Sequence, residues 1–186
     1  MKPSTIALVL VLTASSARAD PDPPHRLSIE QDPLAYLMHG WDVIAAYQHP
    51  ALPHARITLS VYAADWPATP NGFTNALTGV TTKLQYFFRG DGRGWMIGTQ
   101  LAFVNEVFTS ATAPGRATID AFNVGAIAGY RWMPFGRGFF IYPWGRLGVS
   151  LPVHGSRDIM LGDRRMTASW FDPVLTFHIG YELTFH

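Results

Sequence analysis

The residues best able to do chemistry here are a histidine and a serine two positions apart, His154 and Ser156. A histidine beside a serine can act as its general base, and a nearby acid can orient the imidazole. The acids at hand, Asp158 and Asp163, lie in the same polar loop rather than on a neighbouring strand. So short a match arises easily by chance. We therefore predict no catalytic residues, and His154 with Ser156 stays as the alternative.

A second set of candidates consists of isolated charges on the polar faces of alternating segments. Because unpaired buried charges are very costly, we predict that these acids and bases pair and fill the interior of the fold. A narrow gated path for protons or small ions is the alternative. His178 is expected to hydrogen bond near Glu182. The predicted charge network contains Glu30, Asp42, Glu106 and Glu182 with Arg56, Lys83, Arg131 and Arg146.

Composition argues against several other kinds of site. The net charge is +1 and the charges are scattered, so we expect no nucleic-acid partner. His49 and His54 flank one turn, without an acidic partner or a His-x-His spacing, so we predict no metal site. No motif indicates a cofactor, and none is expected.

Strands must position these residues, because apolar and polar side chains alternate along most of the chain. The 17 glycines and 14 prolines are typical of many turns and few helices. We predict one helical turn after Asp32, and loops over residues 67–79, 109–116 and 152–172. The pattern predicts about eight strands: residues 26–30, 41–48, 55–66, 82–88, 95–108, 120–132, 139–151 and 175–185.

The connections between these strands alternate between short and long. Short turns at one end and longer loops at the other are typical of an outer-membrane barrel. The aromatic residues Trp41, Trp95, Tyr130 and Trp132 fall near strand ends on the apolar face, where interfacial girdles occur. An eight-stranded barrel has an interior that side chains can fill. The lumenal charges are therefore predicted to plug it.

The chain begins with features of a secretory signal peptide. Lys2 precedes an apolar run, and Ala17-Arg18-Ala19 forms a small-residue cleavage site. The run is well below the roughly 20 residues that a membrane-spanning helix needs. There is no cysteine for a disulfide framework. We predict a signal peptide over residues 1–19, cleaved near Ala19, and one domain over residues 20–186.

The final strand carries a resemblance to a known class. Its sequence HIGYELTF resembles the C-terminal targeting signal of bacterial outer-membrane barrels, with His178, Gly180, Leu183 and Phe185 at the signal positions. The resemblance implies that the barrel-assembly machinery reads this strand. The chain as a whole resembles the small eight-stranded class, such as the transmembrane domain of outer-membrane protein A. It implies an all-β, antiparallel up-and-down transmembrane β-barrel in a Gram-negative outer membrane.

The resemblance leaves the biochemical role open. It implies a structural, envelope or surface-interaction role, in contact with outer-membrane lipid and lipopolysaccharide, with the oligomeric state undetermined. Lipid A deacylases are also eight-stranded barrels, and their His-x-Ser pair is similar to His154 and Ser156. A soluble periplasmic ligand-binding barrel is the remaining alternative, in which the apolar faces would line the interior.

Overall fold

The computed structural model describes residues 24–66, 68, 72–136 and 138–186, so the predicted signal peptide lies outside the described residues. Within these ranges, eight strands close into a barrel, and a two-stranded hairpin and a short helix are added to it. The barrel strands are β1 (His25–Gln31), β2 (Trp41–Gln48), β3 (Ala55–Trp66), β4 (Phe73–Phe87), β5 (Gly94–Ser110), β6 (Arg116–Arg131), β7 (Phe139–His154) and β10 (Val174–Phe185). The additions are α1 (Pro33–Leu37) and the hairpin of β8 (Asp158–Leu161) and β9 (Arg164–Thr167).

The topology is up-and-down. Each barrel strand pairs antiparallel with its neighbours along the chain, and β10 pairs with both β7 and β1 to close the ring. Closure leaves the barrel sheet, as described in these ranges, without an edge strand. The predicted fold class, an all-β antiparallel barrel of eight strands, is confirmed in the described chain.

The two ends of the barrel differ. The turn end carries the β2–β3, β4–β5 and β6–β7 turns, together with the start of β1 and the end of β10. At the β4–β5 turn, Gly92 has a φ of +70°, a left-handed conformation that glycine adopts without steric cost. The loop end carries α1, the connections from β3 to β4 and from β5 to β6, and the β8–β9 hairpin. Asp32 caps α1 as predicted, because its side chain accepts the Leu34 N–H at 2.8 Å.

Three predicted loops were partly wrong. β4 begins at Phe73, so much of the predicted loop over 67–79 is strand. β5 and β6 likewise extend into the predicted loop over 109–116, and the predicted loop over 152–172 contains the end of β7 and the hairpin. The reason is that these strands continue beyond the apolar part of the barrel wall, where their outward side chains are polar and the alternation disappears.

Cross-strand registers show where this change occurs. Val80, Phe103, Phe122 and Leu151 are consecutive partners on the outer surface of β4 to β7, and all four are exposed. The next outward row toward the loop end is polar. It consists of Thr78, Asn105, Asp120 and His154.

Buried apolar clusters fill parts of the interior near each end. At the loop end, Ile159 and Leu161 of the hairpin pack with Phe73, Phe108 and Ile119. Toward the turn end, the second cluster contains Phe87, Met96, Ile127, Met133, Phe140, Tyr142 and Trp144. The hairpin therefore folds onto the barrel instead of extending away from it.

Candidate functional site in the lumen

The structure places the eight predicted network charges on the inner face of the barrel. Seven of them are buried, and Glu106 is half-buried. The alternation of the sequence accounts for this position, because successive side chains of a strand point to opposite faces of the sheet. Which charges meet depends on how the strands are staggered around the barrel.

A buried polar chain through Glu30 occupies the middle of the lumen. Glu30 forms a salt bridge with Arg56, and its Oε2 lies 2.9 Å from Nδ1 of His178. The indole Nε1–H of Trp144 donates to Nε2 of His178 at 2.8 Å. Because an indole N–H only donates, Nε2 must accept, and His178 is neutral with its proton on Nδ1. His178 thus bonds Glu30, and the sequence-based expectation of a contact near Glu182 is wrong.

A second ion pair closes the turn end. Arg131 donates to Glu182 at 2.7 Å and to the backbone oxygen of Gly92 at 3.1 Å. Its guanidinium lies 3.7 Å from the ring centroid of Phe140, within the range of a cation–π contact. Arg26 lies 3.3 Å from the other oxygen of Glu182. The turn half of the lumen is therefore occupied by paired side chains.

The other four network residues are not paired with one another as expected. Asp42 accepts the backbone N–H of Asp32 with both oxygens, at 2.8 and 3.0 Å. Glu106 accepts from Asn75 at 3.0 Å. Arg146 forms its salt bridge with a loop residue, Asp172. Asp172 and Asp32 lie outside the strands. The alternation of side chains along a strand therefore could not predict that these two residues contact side chains inside the barrel.

Lys83, the fourth of these residues, lies near the middle of the lumen. Its Nζ is 3.5 Å from the ring centroid of Trp144. Lys83 is 4% exposed and has no hydrogen bond or salt bridge to any described residue. The aromatic ring is its observed partner, and rings of this kind attract cations through their quadrupole.

A cavity of about 470 Å³ occupies the loop half of the lumen. Lys83, Trp144 and His178 line it on the side of the polar chain, and Met166 and Phe171 line it on the side of the hairpin. The volume lies within the range of small-molecule sites, about 300–1,000 Å³. The interior is thus filled toward the turn end and hollow toward the loop end.

The His154 and Ser156 pair is not assembled as a catalytic site. Both residues are exposed, and Ser156 Oγ accepts the backbone N–H of Asp158 at 3.1 Å. No hydrogen bond joins these two described side chains. Asp158 is engaged by Thr167 and Arg165, which lower the pKa of its carboxyl, the hydroxyl having the larger effect. The two side chains therefore lie in solvent and are not arranged as a base and a nucleophile.

Ser156→Ala is accordingly expected to leave lipid A acylation unchanged in cells that express the protein. The side chain is exposed and has no base positioned to activate it, so stability is expected to change by about 0.5 kcal/mol or less. Mass spectrometry of extracted lipid A measures the outcome, and His154→Ala provides the matched variant. Loss of a deacylated species in both variants would contradict this prediction.

The residues of the suggested assembly signal occupy both faces of β10. His178 and Gly180 face the interior, and Leu183 and Phe185 are exposed on the outer surface. A Cβ at Gly180 would lie 2.4 Å from Phe140 Cζ and 2.7 Å from the Ile29 backbone oxygen, so a side chain has no room there. Packing inside the barrel is thus a sufficient reason for glycine at this position.

The outer surface is covered by large apolar side chains. Ile57, Leu84 and Leu101 are each about half exposed, although they lie on strands whose opposite faces are buried and polar. Near the turn end, the ring centroids of Trp95 and Tyr130 lie 5.2 Å apart in an edge-to-face arrangement, and Trp132 is also exposed. At the loop end, Trp41, Trp66 and Trp170 are exposed. The apolar band between these aromatic residues is called the belt below.

The described residues contain neither a membrane-spanning helix nor a cluster of metal ligands. No helix in the described ranges is long and apolar enough to cross a membrane. No group of three or more His, Cys, Asp or Glu side chains in those ranges is arranged to hold a metal ion.

These features define a class: closed antiparallel barrels of eight strands with an apolar outer surface and with charged side chains buried inside. No family model and no curated protein matches the sequence. Among solved structures, the chain is similar to the N-terminal β-barrel domain of Pseudomonas aeruginosa OprF. The two are 12% identical, with a TM-score of 0.48, and the alignment covers 87% of this chain and 98% of that chain.

Proposed function

We propose that this protein is an integral barrel of a Gram-negative outer membrane with a structural or surface-interaction role. The observation that carries the proposal is the belt, a continuous ring of exposed apolar side chains around a barrel that buries ion pairs as well as apolar clusters in its interior. Soluble monomers rarely expose contiguous apolar patches larger than a few hundred Å². In a bilayer the same surface contacts lipid chains, and ring closure satisfies the backbone groups of every strand.

The belt has the limits that a membrane would impose. Eight positions separate Val80 of β4 from Phe88, the outward residue that follows the strand, and the next outward residue toward the loop end is Thr78. At about 3.3 Å per residue and a tilt of about 40°, this corresponds to roughly 20 Å of height, close to the apolar band of about 25 Å in such barrels. Aromatic residues lie near both limits, as expected for interfacial girdles.

The filled turn half argues for a structural role over an open pore. The Glu30–Arg56 and Glu182–Arg131 pairs, with the aromatic rings around them, occupy the section through which a solute would pass. The aperture of an eight-stranded barrel is just wide enough for side chains. Closing it with ion pairs and rings gives a rigid scaffold that presents the loop end.

We extend the proposal to partners. In the outer membrane, the loop end faces lipopolysaccharide, and the exposed arginines Arg116 and Arg165 have the chemistry to bind its phosphates. The barrel-assembly machinery is the proposed reader of β10, through the outward Leu183 and Phe185. The signal peptide over residues 1–19 is part of the same proposal, since export must precede assembly.

Membrane fractionation, followed by electrophoresis with and without boiling, tests the proposal. We expect a band in the outer-membrane fraction that migrates differently after heating, because a closed barrel resists unfolding by detergent until it is heated. A soluble periplasmic band without a heat shift would overturn the proposal. A band in the inner-membrane fraction would do so as well.

A further inference from the structure

Acidic side chains outnumber cationic ones around the 470 Å³ cavity. Arg146 is paired with Asp172, and Arg157 donates to the backbone oxygen of Ser150. No described cation pairs with any of the other three carboxylates, so the lining carries an excess of negative charge. That excess favours a cationic ligand. The described lining has four carboxylates and three cations: Asp32, Asp42, Glu106 and Asp172, with Lys83, Arg146 and Arg157.

Glu106 differs from the other two unpaired carboxylates in its hydrogen bonds. Both oxygens of Asp42 accept a backbone N–H. Asp32 uses one oxygen to cap α1, and its other oxygen accepts the hydroxyl of Thr176 at 2.6 Å. Oε2 of Glu106 accepts from Asn75, whereas its Oε1 has no hydrogen bond to a described residue. Glu106 is therefore the carboxylate of the described lining that retains the capacity to bind a ligand.

The immediate neighbours of Glu106 along and across the strands are apolar. Its cross-strand partners are Leu77 on β4 and Ile119 on β6, and Phe108 is two positions along β5. All three line the cavity. A carboxylate without a counter-ion is costly in such surroundings, and a charge-assisted hydrogen bond is stronger than a neutral one. A cation beside Glu106 is stabilised for both reasons.

Three side-chain amide oxygens of the lining are buried without a hydrogen-bond partner among the described residues. They are Asn75 Oδ1, Gln100 Oε1 and Asn123 Oδ1. Gln100 is 6% exposed and Asn123 is 8% exposed. An amide oxygen only accepts, so a ligand must supply donors. Asn75 Oδ1 belongs to the amide that bonds Glu106, and one ammonium group can therefore donate to both.

The strand registers separate the unpaired acceptors along the cavity. Asn123 is opposite Ala102, four positions from Glu106 on β5, or about 13 Å at about 3.3 Å per residue. Lys83 is opposite Gln100, six positions from Glu106. The unpaired cation thus lies at the inner end, away from the unpaired carboxylate. The arrangement calls for a positive charge at the outer end and neutral donors farther in.

We propose that this cavity binds a small hydroxylated primary amine of the amino-sugar type. The ammonium group donates to the Glu106 carboxylate and to Asn75 Oδ1. A hydroxyl group on the opposite side of the ring donates to Asn123 Oδ1. At about 30 Å³ per water molecule, the cavity volume equals that of about 15 waters, enough for one such molecule. Binding depends on the interior of the barrel and not on the membrane in which the barrel resides.

Calorimetric titration of the folded full-length protein at pH 7, in a neutral polyoxyethylene detergent without sugar groups, tests this site. The probes are glucosamine, glucose, which lacks the ammonium group, and cyclohexylamine, which lacks the hydroxyl groups. We expect glucosamine to bind at least tenfold more tightly than either of the others. Glucose or cyclohexylamine binding as tightly as glucosamine would overturn the proposal, as would no glucosamine binding up to 10 mM. These arms use no variant, so they do not depend on whether a variant folds.

Three variants then assign the effect to the named residues. Glu106→Gln is expected to reduce glucosamine affinity at least tenfold and to leave the weak binding of glucose unchanged. Asn123→Leu is expected to reduce glucosamine affinity at least threefold without changing that of cyclohexylamine. Asp163→Asn removes an exposed carboxylate of the hairpin turn, outside the cavity lining, and is expected to have no effect. Unchanged glucosamine binding by Glu106→Gln, with the heat shift preserved, would overturn the proposal, and so would an equal loss in Asp163→Asn.

Discussion

Replacing Glu30 with leucine is expected to lower the free energy of unfolding by about 3–5 kcal/mol, the cost of leaving one partner of a buried ion pair uncompensated. Glu30 is 1% exposed, and it accepts from both Arg56 and His178. Without it, the Arg56 guanidinium is left beside Phe140 with neutral partners, Ser28 and Gln85. Urea unfolding of the barrel in lipid vesicles, followed by tryptophan fluorescence, measures the change.

A double-mutant cycle separates the lost pair from lost packing. Glu30→Leu combined with Arg56→Met removes both charges and is expected to recover most of the stability lost in the single variant. Arg89→Ala is the matched control. It breaks the exposed Arg89–Asp91 pair, 2.8 Å apart at the turn end, and is expected to cost about 0–1 kcal/mol. A Glu30→Leu cost as small as this control would contradict a structural plug.

Leu84→Arg is expected to lower the free energy of unfolding by about 2–4 kcal/mol in a bilayer, the cost of an arginine on the lipid face near mid-membrane. Leu84 lies halfway between Phe88 and Val80 on the outer face of β4, and it is 56% exposed. An arginine there would either be placed in hydrocarbon or have to extend a long way to reach water. Urea unfolding in phospholipid vesicles measures the cost.

The same strand offers a control at the limit of the belt. Thr78→Arg places an identical side chain three outward positions from Leu84, in the polar row with Asn105, and is expected to cost about 0–1 kcal/mol. The contrast tests the membrane proposal directly. In a soluble barrel, both exposed positions would tolerate arginine within about 0.5 kcal/mol. Equal, small costs would therefore favour the soluble alternative.

Local patterns in the sequence determined the β architecture. β2 and β3 have the predicted bounds, because their alternation is complete and turns border them at the turn end. The helical turn after Asp32 was also predictable, since a capping side chain and a proline at the first turn act locally. The inward or outward direction of each network charge followed from the same period of two.

The same reasoning failed where the environment of a strand changes along its length. In β4, residues from Phe73 to Thr78 are strand but lack a regular apolar face. Thr74 and Thr78 face outward beyond the belt, where lipid no longer selects apolar side chains. The β8–β9 hairpin was missed for a related reason. Ile159 and Leu161 of the hairpin are buried because they pack against the loop-end cluster on β5 and β6, and no local pattern in the sequence indicates that contact.

Tertiary structure alone decided which charges meet. Glu30 and His178 are 148 residues apart, and they meet because β1 pairs with β10 when the barrel closes. The stagger between strands likewise places Arg131 beside Glu182. The long last loop folds back so that Asp172 pairs with Arg146. The sequence by itself determined that these charges face inward, because alternation is a local property. It did not determine their partners or the unpaired state of Lys83, since both depend on closure, register and loop return across the whole ring.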